Sequence, residues 1–263
     1  MLDIIDPGFV DVVVAVAMFL CILLVLEIGR WLGRRTMGRY GTSGAINVDS
    51  LETAVFALLG LLIAFTFSGA LTRFDVRRAQ VVEEANAIGT AYLRIDLLPA
   101  PARQPLRDTF RNYLDSRIAT YRKLPQLEAA RQELMRSQAL QASIWTQVVA
   151  ALRMPESRTE TGLLVLPALN QMFDITTVRV VATRIHPPMI IFGMVVALAL
   201  ASALLAGYRT AADAHHGWTH NIAFAAVVAL TLYVIIDLEY PRSGLIRIDP
   251  IDEVLVNLRA GMN

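Results

Sequence analysis

Apolar residues along this chain gather into four long blocks, near residues 9–28, 53–72, 189–208 and 219–238, separated by polar and charged stretches. Each block has about the length that carries a helix across a bilayer. The second block differs from the others because it does not stop. The run SLETAVFALLGLLIAFTFSGALTRFDVRRAQVVEEANAIGTAYLRIDLL carries no charge from Thr53 to Thr72 and many from Arg73 onward. Nothing breaks its helical pattern before Pro99, and Gly60, Gly69 and Gly89 stand singly, where helices tolerate them. The pattern predicts one helix over residues 50–98, roughly 70 Å long at ~1.5 Å per residue. It crosses the membrane and projects beyond it. Asp49 or Ser50 caps its start, and Glu52 falls in the favourable first turn.

Three further helices are predicted before the next apolar block. Pro99, Pro101 and Pro105 break the long helix. Leu106, Phe110, Tyr113, Leu114 and Tyr121 then mark one face of a helix over 105–123, ended by Pro125. Leu127, Ala130, Leu134, Ile144, Val148 and Leu152 mark a helix over 126–153, closed by Pro155. Ser157 and Glu160 have the spacing of a capping box for a helix reaching about Arg184, with Pro167 inside it. Residues 36–49, with three glycines, read as a loop. In the third block Gly193, Ala197, Ala199, Ala201 and Ala203 permit close helix contact. Pro241 and Gly244 stop the fourth block, and a short mixed tail follows. Strand patterns and internal repeats are absent from the sequence. The expected fold is all-α: a polytopic membrane protein with four transmembrane helices and a helical membrane-proximal domain inserted between spans 2 and 3. The expected division is 1–72, spans 1 and 2; 73–186, the helical domain; 187–240, spans 3 and 4; and 241–263, the tail.

Composition supports this picture. Of 263 residues 55% are hydrophobic, and mean hydropathy is +0.50, with the apolar content concentrated in the four blocks. A net charge of +1 gives no reason to expect nucleic acid as a partner. The cationic residues are arginines apart from Lys123, a bias that reflects base composition more than chemistry. The lone Cys21 cannot form a disulfide within the chain. The N-terminus MLDIID is acidic, and Arg30, Arg34, Arg35 and Arg39 follow the first apolar run, the reverse of a cleavable signal peptide. The first block is therefore expected to be an uncleaved anchor. The positive-inside rule puts those arginines and Arg209 in the cytoplasm, and the 73–186 domain with both termini outside.

Candidate chemistry is sparse. The sequence holds no Walker A loop, HExxH, GxSxG, GxGxxG or CxxC, so an enzyme is not expected. His215, His216 and His220, with Asp213 nearby, form the densest metal-ligand cluster, at a membrane boundary where polar and aromatic residues collect anyway. Asp249, Asp252 and Glu253 are close enough for calcium but lack EF-hand spacing. Glu83, Glu84, Asn86 and Arg94 on the projecting helix, with Asn170, Asp174 and Thr177 on the last domain helix, are expected to form a structural polar network, with a ligand site as the alternative. Gly60, Phe67, Phe74, Val81, Ile88 and Ile95 recur every seven residues, the pattern of a helix that packs along its whole length. That seam faces either its own subunit or a shared oligomer axis. In the second case Ile63, Phe67 and Leu71, one turn apart, line a hydrophobic constriction, and Arg73 and Arg77 form an anion-attracting mouth.

Three stretches carry a resemblance: FTFSGALTRFDVRRAQVVEEANAIGTAYLRIDLLP, LNQMFD and DLEYPRSGLIRID. Together they resemble the bestrophin-like family of bacterial four-span membrane proteins, over nearly the whole chain. The resemblance links the chain distantly to bestrophins, pentameric anion channels gated by calcium in animals. It implies a pore lined by the second span with apolar residues one turn apart, calcium-holding acids after the last span, to which Asp249, Asp252 and Glu253 are loosely comparable, and a cytoplasmic helical domain, opposite to the loop-charge reading. The expected function is passive conduction of inorganic anions, chloride foremost, by a homo-oligomer, a pentamer on this resemblance, in the bilayer of the bacterial inner membrane, with no obligatory cofactor. The alternative is a membrane-anchored scaffold or sensor whose helical domain binds a partner or ligand. A third reading is a metal-dependent protein using the three histidines.

Overall fold

A computed structural model describes residues 7–40, 48–124, 126–212, 218–242 and 244–262. The described residues are helical throughout, with no β-strand among them. The helices are α1 (Pro7–Tyr40), α2 (Asp49–Arg94), α3 (Ala100–Arg122), α4 (Leu127–Leu152), α5 (Thr159–Ala182), α6 (Met189–Arg209), α7 (Trp218–Glu239) and α8 (Glu253–Ala260), with short 3-10 turns at Ile95–Leu97, Thr210–Ala212 and Asp249–Asp252. α1, α2, α6 and α7 are long and apolar enough to cross a membrane. The chain divides into two compact units, one of residues 1–73 and 186–245, the other of 74–185 and 246–263.

The first unit is built on α1, which packs against α6 and α7. Glycines set its closest approach. A Cβ on Gly29 would stand 2.2 Å from the Leu204 carbonyl oxygen, and one on Gly207 would stand 2.0 Å from that of Leu26. Only glycine lets the two backbones meet here, the small-residue logic of membrane helix pairs. Of the expected small-residue stripe, Ala199 and Ala203 are fully buried at this contact, whereas Ala197 is exposed and Gly193 faces open space. Ile22, Val195 and Ala225 complete the core, with Leu59 of α2 packed into it and Phe56 edge-on to Phe224 at 5.4 Å. α1 runs to Tyr40, so the predicted 36–49 loop begins later, and residues 41–47 lie outside the described set.

The second unit closes around α2, α3, α4 and α5. Leu106, Phe110, Tyr113 and Leu114 of α3 are fully buried, with Ile144 and Val148 of α4 and Met172 of α5. Tyr113 Oη and Thr176 Oγ1 share a hydrogen bond of 3.0 Å, and Gln141 Nε2 donates to Tyr113 Oη at 3.1 Å, so three helices meet at one polar point. The tail belongs to this unit: Leu255 of α8 is fully buried in its core, and Arg259 grips Asp115 through two hydrogen bonds of 2.8 and 3.1 Å.

Two sequence expectations about helix ends need correction. Pro99 ends the long helix, but Pro101 lies in the first turn of α3 and Pro105 inside that helix, so α3 starts five residues early, at Ala100. The first four helical N–H groups have no acceptor, so proline costs little at Pro101, whereas Pro105 lies past them and forgoes one intrahelical bond. The Ser157–Glu160 capping box does not form. Arg158 is the N-cap of α5, with no side-chain cap, because Ser157 N is taken up by the turn closing α4, bonded to Met154 O at 3.0 Å.

Candidate functional site

α2 contributes to both units, and its two halves behave differently. In the second unit Phe74, Val81, Ile88 and Ile95 are buried, the last three at 0, 0 and 1% exposure. In the membrane half the same seven-residue seam is open: Gly60 is exposed, and Phe67 is 38% exposed. The buried positions there are Glu52, Leu59, Thr66 and Ala70. The shift follows from helix geometry. A straight helix drifts ~20° per heptad against a strict seven-residue repeat. Ile95 and Gly60 are 35 residues apart, so the seam rotates by about 100°, one residue's step, and Leu59 takes the place assigned to Gly60.

The predicted constriction residues do not share one environment. Ile63 is half-buried against the membrane core, while Phe67 and Leu71 are 38 and 41% exposed. Phe65, Leu61 and Leu58, on neighbouring faces, are exposed as well. Within its own subunit the membrane half of α2 is thus largely uncovered.

The predicted mouth arginines have partners. Arg73 Nε donates to Glu239 Oε1 at 2.8 Å, and Arg73 Nη2 donates to the same oxygen. Glu239 is 1% exposed, at the end of α7, and His186 Nδ1 stands 3.5 Å from its other oxygen. Arg77 is buried and donates to the carbonyls of Ala182 and Ile185, at 3.2 and 3.0 Å. It satisfies acceptors that the end of α5 leaves free. The other acid of the DLEYPRSG turn, Asp237, is fully buried and accepts a hydrogen bond from Leu245 N at 3.0 Å. Gly244 is required beside it, since a Cβ there would stand 1.2 Å from Asp237 Oδ1. The turn is thereby folded back onto its own helix by a carboxylate.

Of the predicted polar network, Glu84 alone is a centre, and its partners are different ones. Glu84 is fully buried, and its Oε1 accepts from Arg117 Nε at 2.6 Å while Oε2 accepts from Arg179 Nη1. Arg117 also donates to Tyr121 Oη, and the Arg179 guanidinium lies over the Tyr121 ring at 3.8 Å. Arg179 Nη2 reaches to 3.7 Å from Asp252 Oδ1 of the tail. Two arginines and two carboxylates so bring α2, α3, α5 and the tail to one neutral cluster. Burial pushes the Tyr121 hydroxyl well above its ordinary range, with the Glu84 charge adding to the shift, so it stays protonated as a donor. Arg117 is held above its own range: burial works against its charge, and Tyr121 and Glu84 more than offset it. Asn86, Asn170 and Asp174 are instead exposed, and Arg94 donates to the Leu164 carbonyl. Asn170 and Asp174 line an open groove of about 440 Å³ with Glu83, Gln171 and Val178.

The metal candidates are described only in part. His215 and His216 lie outside the described residues, and His220 is exposed. Asp249 pairs with Arg247, Asp252 faces Arg179, and Glu253 is exposed at the start of α8. Among the described residues no group of three or more His, Cys, Asp or Glu side chains is placed to hold a metal.

Sequence reasoning missed Arg117 and Arg179, although a signal was present. Arg117 continues the apolar stripe 106–110–113–114, and Arg179 the stripe 165–168–172–175. A charge on a buried stripe demands an opposite charge on the stripe it faces.

The whole chain can now be set beside known proteins. It matches the bestrophin-like domain over residues 14–252. The crystal structure of a bacterial bestrophin homologue from Klebsiella pneumoniae, a single-site mutant, is similar with a TM-score of 0.67 at 12% identity, covering 94% of this chain and 96% of that one. At that identity the likeness is one of fold. No curated protein matches the chain. With the family match spanning nearly its full length, and four helices long and apolar enough to cross a membrane, the chain belongs to the bestrophin-like domain family and is a multi-pass membrane protein.

Proposed function

We propose that the protein is a passive anion channel formed by a homo-oligomer, with the membrane half of α2 lining the pore. The observation that carries this reading is the contrast within α2. Phe74, Val81, Ile88 and Ile95 are sealed inside their own unit, while Phe67 and Leu71 remain uncovered on the same helix. Lipid alone satisfies an apolar face, but a bilayer-spanning helix that continues into a packed domain is also a natural pore wall. Ile63, Phe67 and Leu71 set an apolar constriction, at which passage of an ion depends on wetting. Arg73 and Arg77 stand next to it as its mouth. The pairing of Arg73 with Glu239 and the carbonyl partners of Arg77 moderate their field, so anion preference over cations is modest in this reading. The related crystal structure is that of a bestrophin homologue, which supports this reading at the level of fold. The assembly is a ring in which α2 of each copy faces the axis, with five copies as the starting expectation.

The test is chloride flux into liposomes holding the purified protein. Wild type conducts, and Phe67→Ala widens the constriction and raises flux. Absence of flux together with no effect of Phe67→Ala removes the channel reading. The groove of Glu83, Asn170, Gln171 and Asp174 favours a second reading, a sensor whose helical domain binds a ligand. A stable monomer by mass in detergent supports that alternative, since one four-span subunit leaves little room for a pore.

A further inference from the structure

His186 opens the His-Pro-Pro segment that leads into α6, and its imidazole is 28% exposed at the side chain. The ring stacks on Tyr240, with centroids 4.7 Å apart and planes 26° from parallel. Its Nδ1 points at Glu239 Oε2 from 3.5 Å and makes no hydrogen bond. Glu239 already holds the Arg73 guanidinium through its other oxygen. Three elements thus meet: α2 through Arg73, the approach to α6 through His186, and the end of α7 through Glu239 and Tyr240. Glu239, Arg73 and Tyr240 are the titratable and charged groups seen against this imidazole among the described contacts.

The charges of this cluster depend on one proton. With neutral imidazole, Glu239 and Arg73 sum to zero. With imidazolium the cluster carries one more positive charge. Arg73 is sufficient to neutralise Glu239, so His186 is not needed as a counter-ion. What it adds is an imidazole that can take up a proton, with partial exposure that lets the proton enter from water. Protonation at Nδ1 turns the long approach into a charge-assisted hydrogen bond to Glu239 Oε2 and loosens the claim of Glu239 on Arg73.

We infer that His186, Glu239 and Arg73 form a proton-controlled positive charge at the end of the membrane half of α2, which attracts small inorganic anions when His186 is protonated. Its effect on flux rests on the channel reading above, and its effect on anion binding does not. One added charge within a few ångströms of an ion's path in a water-like medium corresponds to roughly a fivefold change in local anion occupancy.

The experiment uses the full-length protein in liposomes, with chloride flux measured near pH 7.5 and near pH 5.5. Wild type is expected to rise roughly fivefold on acidification. His186→Gln is expected to lose that rise, and His186→Arg to show the high flux at both pH values. A wild-type pH profile retained in His186→Gln overturns the inference. If wild type conducts at neither pH, the channel reading falls and the cluster is judged by binding alone. Bromide is then titrated into the solubilised protein while its melting temperature is followed. Stabilisation by bromide near pH 5.5 that is absent near pH 7.5 and absent in His186→Gln supports the cluster. Stabilisation indifferent to pH or to His186 overturns it.

Discussion

The two units solve the same problem, an excess of apolar surface, in opposite ways. In the unit of residues 74–185 and 246–263, Leu106, Phe110, Tyr113, Leu114, Ile144 and Val148 all reach zero exposure, and the buried charged groups are either paired around Glu84 or, for Arg77, hydrogen-bonded to backbone carbonyls. In the other unit, Leu24, Phe65, Ile190, Val227 and Leu230 remain more than 60% exposed. Only 17% of the most apolar window of α2 is buried. The first pattern belongs to a domain whose solvent is water and whose partners are its own residues. The second belongs to helices whose solvent is lipid, or whose partners are other copies. α2 carries both patterns on one continuous helix, and the change falls between Leu71 and Phe74.

The sharpest way to break this comparison is at Glu84. Glu84→Gln leaves Arg117 and Arg179 buried without their shared carboxylate, and a loss of about 3–5 kcal/mol in unfolding free energy is expected by denaturant titration in detergent. A loss under about 1 kcal/mol means that the cluster is hydrated and the unit less sealed than described. Leu255→Ala comes next. It opens a cavity where α8 docks, and about 2–5 kcal/mol is expected, read as a lower melting temperature and faster protease cleavage of the tail. Phe65→Ala tests the other unit. At 69% exposure it contributes little to a single subunit, and a change within about 0.5 kcal/mol is expected for monomer in detergent. A large loss there shows the uncovered face to be covered within the subunit after all.

The smallest effect is a pH dependence at Glu133. Its hydrogen bond from Lys123 Nζ, at 2.8 Å, is the main cause that holds its carboxyl below the ordinary value of 4.5. A depressed carboxylate stabilises the fold above its unfolded pKa, and that contribution is lost as pH falls through the folded value. The melting-temperature gap between wild type and Glu133→Gln is therefore expected to be present near pH 6 and to narrow as pH falls below the ordinary carboxylate value of 4.5.

Much of this architecture could be read from residue order. The four apolar blocks, the unbroken run from residue 50 into charged sequence and the helix limits set by Pro99 and Pro155 all appear as expected. What could not be read has physical causes. A seven-residue repeat pointed to Gly60, but an uncoiled helix of 3.6 residues per turn drifts off that repeat and buries Leu59 instead. The tail looked short and mixed because its apolar stripe, Ile251, Leu255, Leu258 and Met262, spans little more than one short helix, and its stability comes from docking rather than from length. Of the site candidates, Glu84 was found and its partners were not, because charge pairing across 33 and 95 residues leaves no local spacing to detect. Asn86, Asn170 and Asp174 share helical spacing with buried positions, yet they lie on the solvent side of the boundary.

The central claim is that the open face of α2 meets its counterpart in other copies. Disulfide trapping in native membranes tests it most directly. In a Cys21→Ser background, Phe67→Cys is compared with Ile88→Cys on the same helix. Phe67 faces outward from its subunit and Ile88 is fully buried within it. The account predicts that mild oxidation links Phe67→Cys subunits into covalent dimers and leaves Ile88→Cys monomeric. If the two variants behave alike, or if Phe67→Cys never cross-links, α2 does not line a shared axis and the channel architecture proposed here is wrong.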